Sequence, residues 1–243
     1  MPPRFHVPPP LREGAEFDLP DGVARHVQVL RLQPGAALTL FDGSGGEWSA
    51  QVLLMGRRDV RVQVLRHAAV ARELVLPVTL ALGMPANERM DTLVEKACEL
   101  GVAAIQPLLC ERSVLRLAGE RAQKKVLHWQ AVAVSACEQS GRTTVPQIAP
   151  VLSLSDWLAG LAAAGETTRL LLSLHDARAL PAAAGLRAVT ALSGPEGGLS
   201  EAEESAACLR GFVPVSLGPR TLRADTAPLA LLAHLALALE RPG

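Results

Sequence analysis

The chain has 243 residues, 49% of them hydrophobic, and its 24 lysines and arginines balance its 24 aspartates and glutamates. This length can hold one large domain, or a small domain and a medium one. The balanced charge excludes a uniformly basic nucleic-acid binder, so any contact with RNA must come from local basic patches.

The cysteines and the first residues exclude further classes of protein. The four cysteines are scattered and form neither a C-x-x-C motif nor a cluster with histidine, which argues against a disulfide framework or a zinc site. The start, MPPRFHVPPP, lacks the apolar core of a signal peptide, and no apolar run reaches membrane-spanning length. We therefore expect a soluble, cytoplasmic protein that binds no metal ion.

Residues 1–72 are expected to form a small β-barrel unit. A short helix is predicted at residues 25–32, and the sequence DGSGG at residues 42–46 predicts a hairpin turn. Three strand-like runs are predicted at residues 36–41, 47–54 and 59–67. The pattern then changes to alternating strands and helices, so the domain boundary is placed after residue 72.

Residues 73–243 carry the pattern of an α/β domain with a mostly parallel sheet. Asn87 is predicted to cap a helix whose apolar residues recur at helical spacing and which stops at Gly101. A long helix is predicted at residues 119–140. Five strands are predicted at residues 77–83, 103–109, 170–174, 188–193 and 212–217. Taken alone, this pattern is typical of an ordinary doubly wound fold.

Two glycine-containing loops follow the last two predicted strands. In the first, LSGPEGGLS at residues 192–200, the glycines allow a tight turn, and Ser200 with Glu203 matches a helix-capping box. In the second, LGPRTLRADT at residues 217–226, a Gly-Pro pair ends the strand and an apolar helix follows to about Glu240. Two such loops after adjacent parallel strands would form one wall of a ligand crevice.

The first loop does not match the common phosphate-binding motifs. GPEGG lacks the third spaced glycine of the dinucleotide fingerprint and the Gly-Lys-Ser/Thr of a phosphate loop. Glu196 also places a negative charge beside the loop amides, which suits a cationic or zwitterionic ligand better than a phosphate. On spacing alone, two tight turns without a ligand remain an equal alternative.

The two loops, GPEGGLS and LGPRTLRADTA, resemble the paired signature of the ribosomal small subunit methyltransferase E family. Other segments are similar to the same family and extend the resemblance over nearly the whole chain. They are RHVQVLRLQPG at residues 25–35, EKACELGVAAIQPL at residues 95–108 and ACEQSGRTTVP at residues 136–146.

This resemblance implies a function and a fold. The function is methylation of N3 of a uridine in 16S ribosomal RNA, with S-adenosylmethionine as the methyl donor. The fold is a SPOUT-like methyltransferase domain with a trefoil knot at residues 73–243, preceded by a PUA-like RNA-binding domain at residues 1–72. The resemblance also implies a homodimer with the cofactor near the subunit interface, so the last apolar helix is either a core helix or a dimer helix.

The chemistry of this reaction favours arginine as the catalytic residue. A neutral uracil N3 carries a proton and is a poor nucleophile, so stabilising negative charge on a uracil oxygen promotes methyl transfer. Arg223, which matches the second loop of the family, is the first candidate, followed by Arg220 and Arg142. Glu138, at the end of the long helix, is a candidate base or a partner that orients an arginine, although a surface glutamate is the simpler interpretation.

The cofactor is expected to be held mainly by backbone groups and small residues of the two loops. The residues assigned to it are Leu174, His175, Gly194, Glu196, Gly197, Gly198, Leu217, Gly218, Leu222 and Arg223. His175 could equally form a turn with Asp176. The candidates for RNA contact in the PUA-like domain are Arg4, Arg25 and Arg31.

Two positions depart from the family pattern, and two other functions stay open. Ala224-Asp225 stand where the family usually has Thr-Glu, and Thr143-Thr144 stand where it often has a more basic or polar pair. The alternatives are a related SPOUT enzyme with another RNA target and a non-catalytic RNA-binding or assembly protein. The glycines and arginines retained in both loops argue against the non-catalytic alternative.

Overall fold

The structure is a computed structural model that describes residues 2–8, 10–86 and 89–239. Asn87, the predicted helix cap, and Glu240, the predicted helix end, lie outside the described residues.

The chain divides into two compact units. The amino-terminal unit consists of Met1–Glu73 and Cys137–Val145, and the carboxyl-terminal unit consists of Leu74–Ala136 and Pro146–Gly243. The boundary expected after residue 72 lies next to this division, but nothing in the sequence pattern indicated the second segment of the amino-terminal unit.

One mixed sheet forms the framework of the amino-terminal unit. Its elements are β1 (Arg4–His6), β2 (Glu16–Asp18), α1 (Asp21–Val29), β3 (Ala37–Phe41), β4 (Glu47–Met55) and β5 (Val60–Ala68). The strand order is β1-β3-β4-β5-β2, in which β1 is parallel to β3 and the other pairs are antiparallel. The three predicted strands are confirmed as β3, β4 and β5. The predicted helix is present as α1, which begins at Asp21 rather than at residue 25.

Alternating apolar residues bury one face of this sheet. On β5, Val60, Val62 and Val64 are fully buried, whereas Arg61 between them is exposed. The valines pack in one cluster with residues from the other elements, including Phe5, Ala24, Val27, Leu38, Leu40, Ala50 and Val52. Arg61 therefore stands on the opposite face, because a strand's side chains alternate in direction.

The carboxyl-terminal unit is built on a parallel sheet. Its strands are β6 (Val78–Gly83), β7 (Ala104–Leu109), β8 (Gln147–Ile148), β9 (Leu152–Ser153), β10 (Thr167–Leu172), β11 (Arg178–Ala179), β12 (Ala188–Ser193) and β13 (Val213–Ser216). They follow the order β11-β13-β10-β12-β6-β7-β8, with β9 also paired to β7, and all these pairs are parallel. The five predicted strands are confirmed, while the two-residue strands β8, β9 and β11 were not predicted.

Helices follow most of these strands. They are α2 (Arg89–Glu99), α3 (Gly119–Ser140), α4 (Leu154–Gly160), α5 (Glu201–Leu209) and α6 (Thr226–Leu239). Both sheet faces are buried, because Leu80 and Leu82 of β6 belong to one apolar cluster and Ala81 between them belongs to another. The predicted α/β class with a mostly parallel sheet is therefore confirmed, whereas the trefoil knot stays a prediction.

The last helix, α6, is apolar except for Thr226 at its start and the exposed His234. Leu231, Leu232 and Leu235 are buried, and the helix contacts α2, whereas Leu237 on another face is 82% exposed. One face of α6 therefore belongs to the core and another is an apolar surface. Among the described residues, no helix is both long enough and apolar enough to cross a membrane.

Candidate active site

A cavity of about 470 Å³ lies in the carboxyl-terminal unit, lined by residues that follow β10, β12 and β13. These strands run parallel in the order β13-β10-β12, so the two strands that precede the glycine loops are separated by β10 and are not adjacent as was expected. Their carboxyl ends therefore lie at one edge of the sheet, and the three following segments meet there. This is where open α/β sheets bind their ligands, and the volume is in the usual range for a small-molecule pocket.

The first loop is folded tightly after β12. A Cβ atom on Gly194 would lie 2.8 Å from the backbone nitrogen of Leu199, and one on Gly83 would lie 2.6 Å from the nitrogen of Pro195. Gly198 has a φ angle of +70°, and its N–H donates to the carbonyl of Pro195 over 2.8 Å. Glycine is required at these close approaches, because a side chain would collide with backbone atoms.

Side chains from other elements hold this loop in place. The Glu196 carboxylate accepts the N–H of Ala86 over 2.9 Å and lies 3.6 Å from the guanidinium of Arg89. The Arg112 guanidinium donates to the carbonyl oxygens of Gly197 and Leu199 over 3.0 and 3.2 Å. Glu196 therefore has a cationic partner within the protein, and the loop is fixed from both sides.

The helix after this loop starts with the predicted capping box. The Ser200 hydroxyl accepts the N–H of Glu203, and the Glu203 carboxylate accepts the N–H of Ser200 over 2.9 Å. Glu203 also accepts the N–H of Glu111 over 2.8 Å. The cap thus fixes the direction in which the first loop enters α5.

Removing this cap is expected to destabilise the protein moderately. Ser200→Ala should lower the free energy of unfolding by about 1 kcal/mol, because the N–H of Glu203 in the first turn of α5 loses its acceptor. The melting temperature should fall by about 2–4 °C. Ser205→Ala is the matched control, since Ser205 is an exposed residue of α5. Equal melting temperatures for the two variants would contradict this role.

The second loop turns at a glycine with a positive φ angle and ends at a helix start. Gly218 has a φ angle of +108°, and its N–H donates to the Ser216 hydroxyl over 3.2 Å. The carbonyl of Arg223 accepts the N–H groups of Thr226 and Ala227 over 2.9 and 3.0 Å, which starts α6. This arrangement fixes the backbone of Arg223 at the cavity.

Two arginine side chains of the second loop stay available for a ligand. Arg220 and Arg223 line the cavity and are exposed. Within the part of the chain that the structure describes, neither guanidinium has a hydrogen bond or an ion pair. In the same loop, Oδ1 of Asp225 is buried and has no hydrogen-bond partner among the described residues. The second loop therefore offers two cations and one acceptor that the fold itself does not use.

The segment after β10 completes the cavity. The Ser173 hydroxyl donates to the Glu204 carboxylate over 3.2 Å and accepts the N–H of His175 over 3.0 Å. Asp176 has a φ angle of +46°, so the chain turns sharply after His175. Sequence reasoning missed Ser173 and Glu204, although each lies within four residues of a position that it did single out.

All ten residues assigned to the cofactor line this one cavity, and so does Arg220. The structure therefore brings together residues that are up to 49 positions apart, from Leu174 to Arg223. Lining residues that sequence reasoning did not identify include Arg89, Arg112, Ser173 and Glu204. The individual roles of all these residues stay predictions. No group of side chains suited to a metal ion occurs among the described residues.

Two of the predicted catalytic residues lie elsewhere, in the amino-terminal unit. The Arg142 side chain is only 5% exposed, and its Nε donates to the Glu73 carboxylate over 2.8 Å. Glu138 accepts the N–H of His6 over 2.9 Å. Neither residue belongs to the described lining of the cavity. Within their own unit both side chains make contacts that hold the fold, and their catalytic assignment stays a prediction.

The partly buried Glu138 is expected to make the stability of the protein depend on pH. Burial raises the pKa of Glu138, although the N–H of His6 and the charges of His26 and Arg4 oppose this effect. The folded protein thus retains a proton that the unfolded chain has lost, so the contribution of Glu138 to stability falls as pH rises through the raised pKa.

We therefore expect Glu138→Gln to raise the melting temperature at pH 7.5, because its side-chain carbonyl can still accept the N–H of His6. The difference from wild type should shrink at pH 4, where the glutamate is also protonated. Thermal melts at the two pH values measure this. A lower melting temperature for the variant at pH 7.5 would contradict the prediction, and a lost turnover with intact stability would favour a catalytic role.

The RNA-contact candidates differ in accessibility. The Arg4 side chain is only 7% exposed, forms an ion pair with Glu47, donates to the carbonyl of Arg142 over 2.9 Å and lies over the ring of Phe41. Contact between RNA and Arg4 would require these bonds to break. Arg25 and Arg31, by contrast, are exposed.

Comparison with known protein families assigns both parts of the chain to RNA methyltransferases. Residues 72–236 match the family described as RNA methyltransferase domain, and residues 19–65 match the family described as RNA methyltransferase PUA domain. The fold and the site together thus define an RNA methyltransferase with a PUA-like domain near its amino terminus.

Comparison with individual proteins identifies the family more narrowly. The ribosomal RNA small subunit methyltransferase E of Synechocystis is 36% identical, over 88% of this chain and 70% of the relative. The enzyme of that name from Neisseria gonorrhoeae, solved with bound S-adenosyl methionine, is 40% identical over 97% of both chains, with a TM-score of 0.91. A putative methyltransferase from Legionella pneumophila, solved with the same cofactor, is 32% identical over 98% of both chains, also with a TM-score of 0.91. The chain belongs to the ribosomal RNA small subunit methyltransferase E family.

Proposed function

We propose that this protein transfers the methyl group of S-adenosylmethionine to N3 of a uridine in the 16S ribosomal RNA of the small subunit. The observation that carries the proposal is the single cavity in which both glycine loops and the unpaired Arg220 and Arg223 meet. A fold very similar to this one, in the Neisseria gonorrhoeae enzyme, binds S-adenosyl methionine.

The residues around the cavity fit this cofactor. A Cβ atom at Gly194 would collide with the backbone of Gly198 and Leu199, so the first loop is packed against itself and holds its backbone groups in one fixed shape at the cavity. Glu204 forms no ion pair among the described residues and provides a negative charge for a cationic ligand, while Arg220 and Arg223 provide positive charge for a carboxylate or a uracil oxygen. S-adenosylmethionine carries a carboxylate, an ammonium group and a positively charged sulfonium, and these charges match the charges around the cavity.

The bound cofactor supplies an electrophilic methyl group on a sulfonium. The protein must hold the uracil with N3 in line with that methyl group, and the rigid loops after β12 and β13 serve this positioning. Arg223 stabilises the negative charge that develops on a uracil oxygen as N3 gives its proton to solvent water. Arg220, in the same loop, contributes to the stabilisation of this negative charge.

The remaining assignments are part of the same proposal. Residues 1–72 form the RNA-binding domain, and residues 73–243 form the methyltransferase domain. Two copies associate through the exposed apolar face of α6, where Leu237 lies, and the cofactor site is near that interface. The protein works in the cytoplasm, where small ribosomal subunits are made.

The test is transfer of a labelled methyl group from S-adenosylmethionine to small ribosomal subunits that lack the modification, followed by analysis of the nucleosides. The proposal predicts labelled 3-methyluridine. A different methylated nucleoside would favour a related enzyme with another RNA target. Cofactor or RNA binding without any product would favour the non-catalytic alternative.

A further inference from the structure

We infer that Leu174 and His175 hold the target uracil of the RNA by the face of its ring, at the rim of the cavity. The two residues follow β10, line the cavity and are exposed. The inference rests on the proposed function, because it names the part of the site that receives the substrate base. The sequence alone assigns these two residues to the cofactor instead.

The cavity contains few groups that can stack on a base. Among the described residues that line it, only His175 carries an aromatic ring. A base that leaves its stack loses its neighbours, and enzymes that act on such a base hold it between aromatic or apolar side chains. The imidazole ring of His175 is therefore the group in this cavity that is suited to stacking on uracil.

The ring of His175 is not used within the fold. Its side chain forms no hydrogen bond, ion pair or ring contact in the part of the chain that the structure describes. Leu174, the residue before it, is 63% exposed. The two side chains thus offer an aromatic and an aliphatic surface at the same rim of the cavity.

The backbone that carries the ring is held by several contacts. The N–H of His175 donates to the Ser173 hydroxyl over 3.0 Å, and this hydroxyl donates to the Glu204 carboxylate over 3.2 Å. Ser173 is buried, and its N–H donates to the carbonyl of Val215 over 3.3 Å. Asp176 has a left-handed φ angle of +46°, a strain that is concentrated at functional sites. A ring fixed in this way need not be ordered when the base binds.

The depth of the cavity distinguishes the substrate from the cofactor. Leu199 and Val215 also line the cavity but are only 7% and 2% exposed, so its inner part is apolar and covered. A small ligand buries most of its surface and takes such an inner position. A base attached to an RNA chain reaches the rim more readily, and Leu174 and His175 stand there.

The same rim carries the arginines of the second loop. β10 is paired with β13, with Leu172 opposite Val215, so the segments that follow the two strands start side by side. His175 is in the first of these segments, and Arg220 and Arg223 are in the second. One segment thus supplies a surface for the face of the uracil, and the other supplies donors for its oxygens.

The test compares His175→Ala with His175→Phe in methyl transfer to small ribosomal subunits that lack the modification. His175→Ala should lower kcat/KM for the subunits about tenfold, because the stacking of one base on an aromatic side chain is lost. Phenylalanine keeps a stacking surface but has no ring nitrogen. His175→Phe should therefore stay within about threefold of wild type, with an unchanged pH profile.

The affinity for S-adenosylmethionine separates this role from cofactor binding. Calorimetric titration of both His175 variants should give an affinity within about twofold of wild type, because the cofactor occupies the inner part of the cavity.

Leu174→Ala tests the aliphatic half of the surface. It should lower kcat/KM for the subunits about threefold, because part of the apolar surface against the base is lost. Leu209→Ala is the matched control and should leave kcat/KM unchanged, since Leu209 is an 88% exposed leucine of the same unit outside the cavity lining. All these side chains are exposed, so the melting temperatures should stay near that of wild type.

Three results would overturn the inference. The first is an unchanged kcat/KM in His175→Ala. The second is a loss of cofactor affinity that accounts for the lower rate, which would assign the ring to the cofactor. The third is a His175→Phe variant as slow as His175→Ala, which would indicate a role for an imidazole nitrogen.

Failure of the proposed function gives a different result. If the wild type makes 3-methyluridine and His175→Ala is as active, only the inference is wrong. If the wild type methylates another nucleoside, the proposed function is wrong, and the two His175 variants still decide whether the ring stacks on the target base. If the wild type transfers no methyl group, both are wrong.

Discussion

Arg223→Ala is expected to lower kcat for methyl transfer about 100- to 1,000-fold, the usual effect of losing one donor that stabilises a developing negative charge. Arg223 lines the cavity, and its guanidinium has no partner among the described residues, so its removal should cost little stability. The affinity for S-adenosylmethionine should change by less than about tenfold, because the cofactor is held mainly by the loop backbone.

The experiment is a single-turnover assay of methyl transfer at saturating cofactor, with a calorimetric measurement of cofactor affinity. Arg187→Ala is the matched control, since Arg187 is an exposed arginine of the same unit outside the cavity lining. A normal rate in Arg223→Ala would show that Arg223 does not act on the uracil. A lost cofactor affinity with a normal rate at saturation would show a binding role instead.

Gly194→Ala is expected to weaken S-adenosylmethionine binding at least about 100-fold. The new Cβ atom would lie 2.8 Å from the nitrogen of Leu199 and 2.9 Å from the carbonyl carbon of Gly198, and all three residues line the cavity. Backbone atoms cannot move aside as a flexible side chain can, so the first loop must change shape. Such overpacking should also lower the free energy of unfolding by about 1–3 kcal/mol.

Gly160→Ala provides the control, because a Cβ atom there meets nothing within 4 Å and the residue lies at the end of α4, away from the cavity lining. Calorimetric titration with S-adenosylmethionine below the melting temperature separates binding from folding. Cofactor affinity equal to wild type in folded Gly194→Ala would contradict the assignment of the first loop.

The sequence pattern predicted much of the fold because local signals and tertiary structure agree. Buried strands such as β6 and β12 are short apolar runs ended by turn residues, and the capping box at Ser200 needs only residues three positions apart. Parallel strands place their following loops at one edge, so the meeting of the two loops was also predictable.

The contacts that fix the site were not predictable from local pattern. Arg112 holds the first loop from 85 positions away, and the Ala86 N–H is held by Glu196 from 110 positions away. The same holds for Arg142, whose partner Glu73 is 69 positions away. Such pairs depend on how the strands are ordered, which periodicity does not specify.

The contrast between Arg4 and Arg25 has the same origin. Both are arginines near the start of the chain, and the sequence treats them alike as candidates for RNA contact. Arg4 stands on β1, where its side chain reaches Glu47, whereas Arg25 stands on the exposed face of α1. Only the placement of β1 beside β3, one strand away from the Glu47 of β4, distinguishes the two.

The central claim, that this protein methylates N3 of a uridine in 16S ribosomal RNA, is tested most directly in cells of the source organism. Mass spectrometry of nucleosides from purified 16S ribosomal RNA would be compared before and after deletion of the gene. We expect 3-methyluridine to disappear on deletion and to return with the wild-type gene but not with Arg223→Ala. Unchanged 3-methyluridine after deletion, or the loss of another modified nucleoside, would contradict the claim.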